Sequence, residues 1–168
     1  MVEQKFGYET VDQLLNENEL PSGGVYTSIG TYDHSEIVAL VSSLSQKTGA
    51  EVPLLLNAFG QYLFGTFKKN YPAFLDAASD TFDFLESIER YIHVEVRKLY
   101  PDAELPYFAT NRIGENTLEM IYVSERKLAD FAEGLISKSF EHYKESATIK
   151  KESLKADGSE VKFTITKN

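Results

Sequence analysis

The stretch HVEVRKLYPDAELP, residues 93–106, marks the point where the predicted structure changes from helix to strand. Apolar residues recur at helical spacing over residues 82–99, so the first half of the stretch completes a helix that carries His93. Pro101 and Pro106 then end the helix and open a strand, because proline has no backbone N–H to donate. At about 100° of rotation per residue, His93 lies at the border of the buried side of this helix. A histidine in such a place is more often a satisfied core residue than a metal ligand, so its position alone leaves both interpretations open.

Helices are predicted for the part of the chain before this stretch. Residues 1–7 have the pattern of the tail of a helix that ends at a glycine, and Thr10 is predicted to cap a short helix after it. Asp33 and Glu36 have the spacing of a capping box ahead of a further apolar run. Residues 52–67 are apolar nearly all round and carry no charge, which predicts a core helix.

Strands are predicted for the part after it. Residues 106–109 and 117–123 have the pattern of two strands around a Gly-Glu-Asn turn, and Ser124 is predicted to cap the helix that follows. The Asp-Gly pair at residues 157–158 predicts a hairpin, and residues 161–165 alternate between apolar and polar as a half-buried strand does. Helices followed by antiparallel strands, with one helix between them, indicate an α+β fold.

Charge and composition exclude several classes of function. A length of 168 residues predicts a single domain, residues 1–168. The chain has 17 Lys and Arg against 26 Asp and Glu, and a formal net charge of -9 disfavours binding to nucleic acid. No apolar run approaches the roughly 20 residues that cross a bilayer, and the N-terminus lacks the layout of a secretion signal, so we predict a cytoplasmic protein that does not bind membranes. The absence of cysteine excludes disulfides, iron–sulfur clusters and covalent haem attachment.

The remaining titratable residues give little support for an enzyme. His34 lies in a capping turn and His142 at the polar end of a helix, and both are predicted to be solvated. Asp80, Asp83, Glu86 and Glu89 recur three residues apart, which is one pattern for an acid–base pair. Arg90 follows Glu86 by four residues, however, where an ion pair on a helix surface forms. We therefore predict a solvated helix face and no catalysis.

The stretch 93–106, taken together with YVSER at residues 122–126, resembles the haem-nitric oxide/oxygen binding family. The signature of that family is a proximal histidine, a proline thirteen residues later and a Tyr-x-Ser-x-Arg motif, and all three are present. The segments FGYET at residues 6–10 and FGQYLF at residues 59–64 are also similar, so the likeness runs through nearly the whole chain.

The resemblance implies how the chain is organised around a cofactor. A helical distal part, about residues 1–65, would lie against one face of a non-covalent haem b. A proximal part with a small antiparallel sheet and helices, about residues 66–168, would lie against the other face. Family members normally begin with a full first helix over the distal face, and the first half of that helix has no counterpart here. We therefore expect the distal cover to be incomplete.

The resemblance also implies roles for single residues. His93 would bind the iron, and a neutral imidazole is a suitable fifth ligand that leaves the opposite face open for a gas. Tyr122, Ser124 and Arg126 would hold the haem propionates, for which an arginine fork and two hydroxyls supply donors. Pro106 would press on the porphyrin and bend it. Without the family, the motif is better explained as a strand end with a helix cap, and Pro106 as the opening residue of a strand.

The distal side is predicted to select the gas. In oxygen-binding members a tyrosine on the helix after Tyr-x-Ser-x-Arg donates to the bound gas, and the residue in the matching place here is Phe131. Leu63 and Phe67 are expected on the facing wall. We therefore expect binding of nitric oxide, and of carbon monoxide, with oxygen excluded. Tyr62 is an alternative donor next to Leu63.

The mechanism that the resemblance implies is signalling through the proximal histidine. Nitric oxide would weaken the bond between iron and His93, and the freed helix together with relief at Pro106 would shift the sheet against the helical part. The expected partner is a histidine kinase or a cyclic-di-GMP enzyme. The alternative is a haem-free ligand-binding or protein-interaction domain of the same fold.

Overall fold

Helices occupy most of the first hundred residues and a four-stranded sheet with one further helix the remainder, in a computed structural model that describes residues 1–27 and 30–168. This arrangement confirms the predicted α+β class. The helices are α1 (Val2–Phe6), α2 (Tyr8–Glu17), α3 (His34–Thr48), α4 (Val52–Asn70), α5 (Pro72–Asp76), α6 (Thr81–Ser87), α7 (His93–Leu99) and α8 (Ala129–His142), and the strands are β1 (Tyr107–Ile113), β2 (Thr117–Val123), β3 (Ala147–Ser153) and β4 (Glu160–Lys167).

The sheet buries one of its faces against α8. Its strands are antiparallel in the order β1-β2-β4-β3, and Met120 on β2 lies opposite Phe163 on β4. Alternate residues of the two central strands are buried, as the period-two pattern over residues 161–165 predicts. Ile136 and Phe140 of α8 pack into the same core. Over the described ranges, no helix is long and apolar enough to cross a membrane.

Two glycines let α4 and α8 touch backbone to backbone. A Cβ added at Gly60 on α4 would overlap the carbonyl oxygen of Phe131, and one added at Gly134 on α8 would overlap that of Asn57. Only glycine permits such close approach of two helices. The contact fixes the N-terminal helices to the helix that packs on the sheet.

The N-terminal helices differ from prediction at their caps. The predicted cap at Thr10 is wrong, because α2 begins at Tyr8 and the Thr10 hydroxyl donates back to Phe6 O (2.7 Å). Asp33 does cap α3, accepting from Ser35 N (2.8 Å). The rest of the predicted capping box is wrong, since Glu36 is buried and accepts from Ser22 and Tyr26 instead. Those hydrogen bonds, of which the one from the Ser22 side chain has the largest effect, hold the pKa of Glu36 below its ordinary value.

The core helix α4 is less buried than its composition predicts. Leu55, Leu56 and Phe64 are buried, but Leu54 and Tyr62 face outward and are exposed. The helix therefore buries one side, as a helix at the edge of a core does.

The predicted helix over residues 82–99 contains a π-helical turn. Residues Ile88–Ile92 separate α6 from α7, and the His93 backbone N–H donates to Ile88 O, five residues back. The extra residue changes which side chains meet, so the predicted Glu86–Arg90 ion pair is wrong. Glu86 pairs with Arg112 of β1 (2.5 Å), while Arg90 donates to the Glu86 carbonyl (3.3 Å).

We predict that Gly134→Ala lowers the free energy of unfolding by about 1–3 kcal/mol, because the added methyl forces α8 away from α4. Urea denaturation measures the change. Gly65→Ala is the matched control, since Gly65 lies on the exposed side of α4 with nothing within 4 Å of the added Cβ. It should stabilise the protein by about 0.5–1 kcal/mol, the usual advantage of alanine inside a helix. Equal losses in both variants would contradict the proposed close approach.

Candidate functional site

One large apolar cavity lies between α4, the 88–99 segment, α8 and the sheet, with a volume of about 500 Å³. A cavity of this size suits a cofactor or drug-sized ligand. Every residue that the sequence predicts for a binding site lines it: Leu63, Phe67, His93, Pro106, Tyr122, Ser124, Arg126 and Phe131. The structure thus brings the predicted set together, while the role of each residue remains a prediction.

His93 is the buried imidazole of the cavity. It is 8% exposed, it is the first residue of α7, and its Nδ1 lies 3.1 Å from Glu89 Oε2. Nε2 is therefore the ring nitrogen left for a ligand. Burial lowers the pKa of His93 below its ordinary value, against the opposing effect of Glu89, and this favours the neutral imidazole that a metal requires.

Two hydroxyls at the end of β2 each keep a proton to donate. The buried Tyr122 hydroxyl accepts from Leu128 N (2.9 Å), and Ser124 Oγ accepts from Arg126 N (3.2 Å). A hydroxyl that accepts in this way still carries its own hydrogen. The predicted helix cap at Ser124 is wrong, because α8 begins at Ala129 and Leu128 precedes it.

Arg126 has a buried donor without an acceptor. Its Nη2 pairs with Glu104 Oε2 (3.2 Å), and the Glu104 side chain is 82% exposed. Its Nε is buried and has no hydrogen-bond partner within the ranges 1–27 and 30–168. A buried donor left unpaired is costly, so this edge of the cavity favours an anionic ligand group.

The wall formed by α4 and α8 is apolar. The Phe131 ring packs against Phe59 at 5.2 Å between centroids, and Leu63 and Phe67 extend the wall along α4. Tyr62, the alternative donor, is 43% exposed and is not part of the cavity lining. The residues predicted to face a bound gas therefore offer it no hydrogen bond.

Two further histidines test the predicted solvation. His34 is exposed as predicted. His142 is not, because its Nδ1 is buried without a partner in the described part of the chain. Its ring packs against Phe64 and Tyr143, with centroid distances of 6.0 and 4.7 Å. Burial, more than the charge of Lys68, lowers its pKa.

Sequence reasoning missed Glu89, Tyr71 and Tyr100. Tyr71 and Tyr100 line the cavity from the ends of α4 and α7. Glu89 belongs to the predicted row of solvated carboxylates, yet it holds His93 Nδ1. The available signal was its place four residues before a histidine, which is a common helix pairing and therefore weak.

Comparisons with known proteins agree on one family. The family model described as Haem-NO-binding matches residues 1–151. The chain is similar to the unliganded ferrous H-NOX protein of K. algicida, at 48% identity and a TM-score of 0.96 over 99% of this chain and 90% of that one. It is also similar to the H-NOX of Shewanella woodyi solved with IWP-051 in the Fe(II)CO state (43%, TM-score 0.83, 99% and 88%). A third match is an H-NOX of S. oneidensis in the Fe(II)NO state (27%, 0.92, 100% and 93%). No curated protein matches.

We predict that Tyr122→Phe destabilises the ligand-free protein by about 1–3 kcal/mol, because Leu128 N at the start of α8 loses its acceptor. Thermal unfolding followed by circular dichroism measures this loss. Tyr107→Phe serves as control, since Tyr107 is an exposed residue of the neighbouring strand. A Tyr122→Phe protein as stable as the control would show that the hydroxyl does not cap α8.

Proposed function

The chain belongs to the haem-NO-binding (H-NOX) family of haem-based gas sensors, and from that premise we propose that its cavity holds one non-covalent haem b with His93 as the iron ligand. The observation that carries the proposal is the Nε of Arg126, which is buried at the edge of an apolar cavity and has no partner among the described residues. Haem is a flat apolar ring with two carboxylates, and a carboxylate is an acceptor that this donor lacks.

The polar residues of the cavity fit the two ends of such a ligand. Arg126 Nε and the free protons of Tyr122 and Ser124 would bind the propionates, in charge-assisted hydrogen bonds. Nε2 of His93 would bind the iron, since Nδ1 is already held. Pro106, in the cavity lining at the start of β1, would touch the porphyrin.

We assign the distal face to α4 and α8 and the proximal face to the segment with His93. The division at about residue 65 falls inside α4, which is one helix from Val52 to Asn70. We therefore propose that the distal part, about residues 1–65, and the proximal part, about residues 66–168, belong to one domain and share α4, and that α8 of the second part contributes to the distal face.

The protein is proposed to sense nitric oxide and to bind carbon monoxide, with oxygen excluded. A bound ferrous haem would supply the gas-binding chemistry, with His93 as its protein ligand and the wall of α4 and α8 around the gas. Leu63, Phe67 and Phe131 have no hydrogen-bond donor for bound oxygen. Bound oxygen depends on such a donor more strongly than nitric oxide or carbon monoxide does.

Signalling is proposed to run through His93. Release of its imidazole would free α7, which starts at this residue, and would remove the constraint on Pro106 and β1. We propose a separate cytoplasmic signalling protein as the partner, a histidine kinase or a cyclic-di-GMP enzyme, and no catalysis by this chain. A His93→Gly variant should act on that partner as the gas-bound protein does.

Haem binding predicts that the purified protein, incubated with haemin and reduced, shows a Soret band that shifts with nitric oxide. His93→Ala should lose the ligand-specific band, and Arg126→Ala should release haem faster to apomyoglobin. His34→Ala is the control, because His34 is exposed and does not line the cavity. A wild-type protein without haem uptake would favour the haem-free alternative. A His93→Ala spectrum like that of haem-loaded wild type would contradict iron binding by His93.

The gas selectivity predicts a gain of function in Phe131→Tyr. The added hydroxyl supplies the missing donor, and one hydrogen bond to a partly charged acceptor is worth about 1.5–3 kcal/mol, or about tenfold to a hundredfold in oxygen affinity. Phe59→Tyr adds the same hydroxyl one layer behind Phe131, outside the cavity lining, and should change nothing. A stable oxy-ferrous spectrum of wild type in air would contradict the proposal.

A further inference from the structure

We propose that Glu89 is a positioning residue for His93, which fixes the tautomer of the imidazole, strengthens its bond to iron and ties it to strand β1. The inference rests on the proposed haem binding. It goes beyond that function, because Glu89 lies outside the cavity lining and is assigned control over how easily the bond between His93 and iron breaks.

The carboxylate of Glu89 is shared by three groups from two elements. Oε2 lies 3.1 Å from His93 Nδ1 and accepts from the backbone N–H of Phe108 on β1 (3.3 Å). Oε1 lies 3.6 Å from Arg97 Nη2. Glu86 of the same row reaches β1 through the Arg112 side chain, whereas Glu89 accepts from a backbone N–H of that strand.

The identity of these partners decides where the imidazole proton is. A carboxylate can only accept hydrogen bonds, and its other oxygen, Oε1, already lies beside Arg97 Nη2. His93 must therefore donate from Nδ1 to Glu89. Nε2 is then the nitrogen with a lone pair, and it belongs to a side chain that lines the cavity.

The pairing of Glu89 with His93 lies across the π-helical turn. Glu89 is the second residue of that turn, and His93 follows its last one. Glu89 lies beside both His93 and β1, while Glu86, three residues earlier, pairs with the Arg112 side chain. The same row of carboxylates is thus divided between an ion pair with an arginine and a contact with the imidazole.

Two effects on His93 follow. A carboxylate that accepts from a metal-bound histidine raises its basicity, and loss of such a partner typically costs about 10–100-fold in metal affinity. Because Phe108 lies two residues after Pro106, the same oxygen also couples the ring to the beginning of β1. Movement of His93 would therefore pull directly on the sheet.

Three variants separate charge, hydrogen bond and background. Glu89→Gln removes the charge and keeps an acceptor, and Glu89→Ala removes both. Glu95→Gln removes the same charge two residues after His93, where the carboxylate pairs with Lys98 (2.6 Å). It is the matched control.

The first measurement needs no haem. In ¹⁵N NMR of the haem-free protein at pH 8, His93 should be the Nδ1–H tautomer in wild type, Glu89→Gln and Glu95→Gln. Glu89→Ala should contain a large share of the Nε2–H tautomer. A His93 ring protonated on Nε2 in wild type, or a His93 tautomer in Glu89→Ala that is the same as in wild type, would overturn the proposal.

The second measurement uses the haem-loaded, reduced protein. Resonance Raman spectra should show a lower iron–histidine stretching frequency in Glu89→Gln than in wild type and Glu95→Gln. His93 should also detach about tenfold faster after nitric oxide is added, in line with the effect of lost outer-shell partners. Frequencies and rates equal to those of wild type would overturn the proposal while haem binding itself stands. A wild-type protein that takes up no haem would overturn both.

Discussion

The close contact of α4 with α8 is the constraint on which the cavity depends. Gly60 lies against the Phe131 carbonyl and Gly134 against that of Asn57, so the two backbones leave no space for a side chain between them. Because side chains are excluded there, those on either side of the contact must turn outward from it. Leu63 and Phe67 on α4 and Phe131 and Leu135 on α8 form the apolar wall in this way. The wall is continuous because the helices are in direct contact.

The polar atoms in the cavity share a property that explains its chemistry. Within the described residues, each side chain is engaged by the protein and still has a capacity to form a bond: His93 through Nε2, Tyr122 and Ser124 through their protons, Arg126 through Nε. Protein partners orient these groups, and all four side chains line an apolar space. A ligand that satisfies all of them must be largely apolar, anionic at one end and able to accept an electron pair at its centre, which describes a metalloporphyrin.

Much of this arrangement follows from local sequence rules. The order of helices and strands and the alternation over residues 161–165 were predictable, since periodicity reports which side is buried. The eight lining residues were predicted from the resemblance to the family and not from periodicity. The errors at the predicted caps have two causes. Thr10 and Ser124 form hydrogen bonds within their own turns, with Phe6 O and Arg126 N. Glu36 instead meets Ser22 and Tyr26, tertiary partners that the local pattern does not contain. Glu89 was missed for the same reason, because its Phe108 contact joins two distant segments.

The π-helical turn at Ile88–Ile92 divides what would be one helix into two parts with different contacts. The first part, α6, is held to the sheet by ion pairs of Asp80 with Lys167 and of Glu86 with Arg112. The second part, α7, is seven residues long, and its ion pair between Glu95 and Lys98 lies within the helix. Helices bend most readily at such a π-helical turn. A displacement that starts at His93 therefore involves the seven residues of α7 and, through the shared Glu89 oxygen, the start of β1, while α6 keeps its own ion pairs with the sheet.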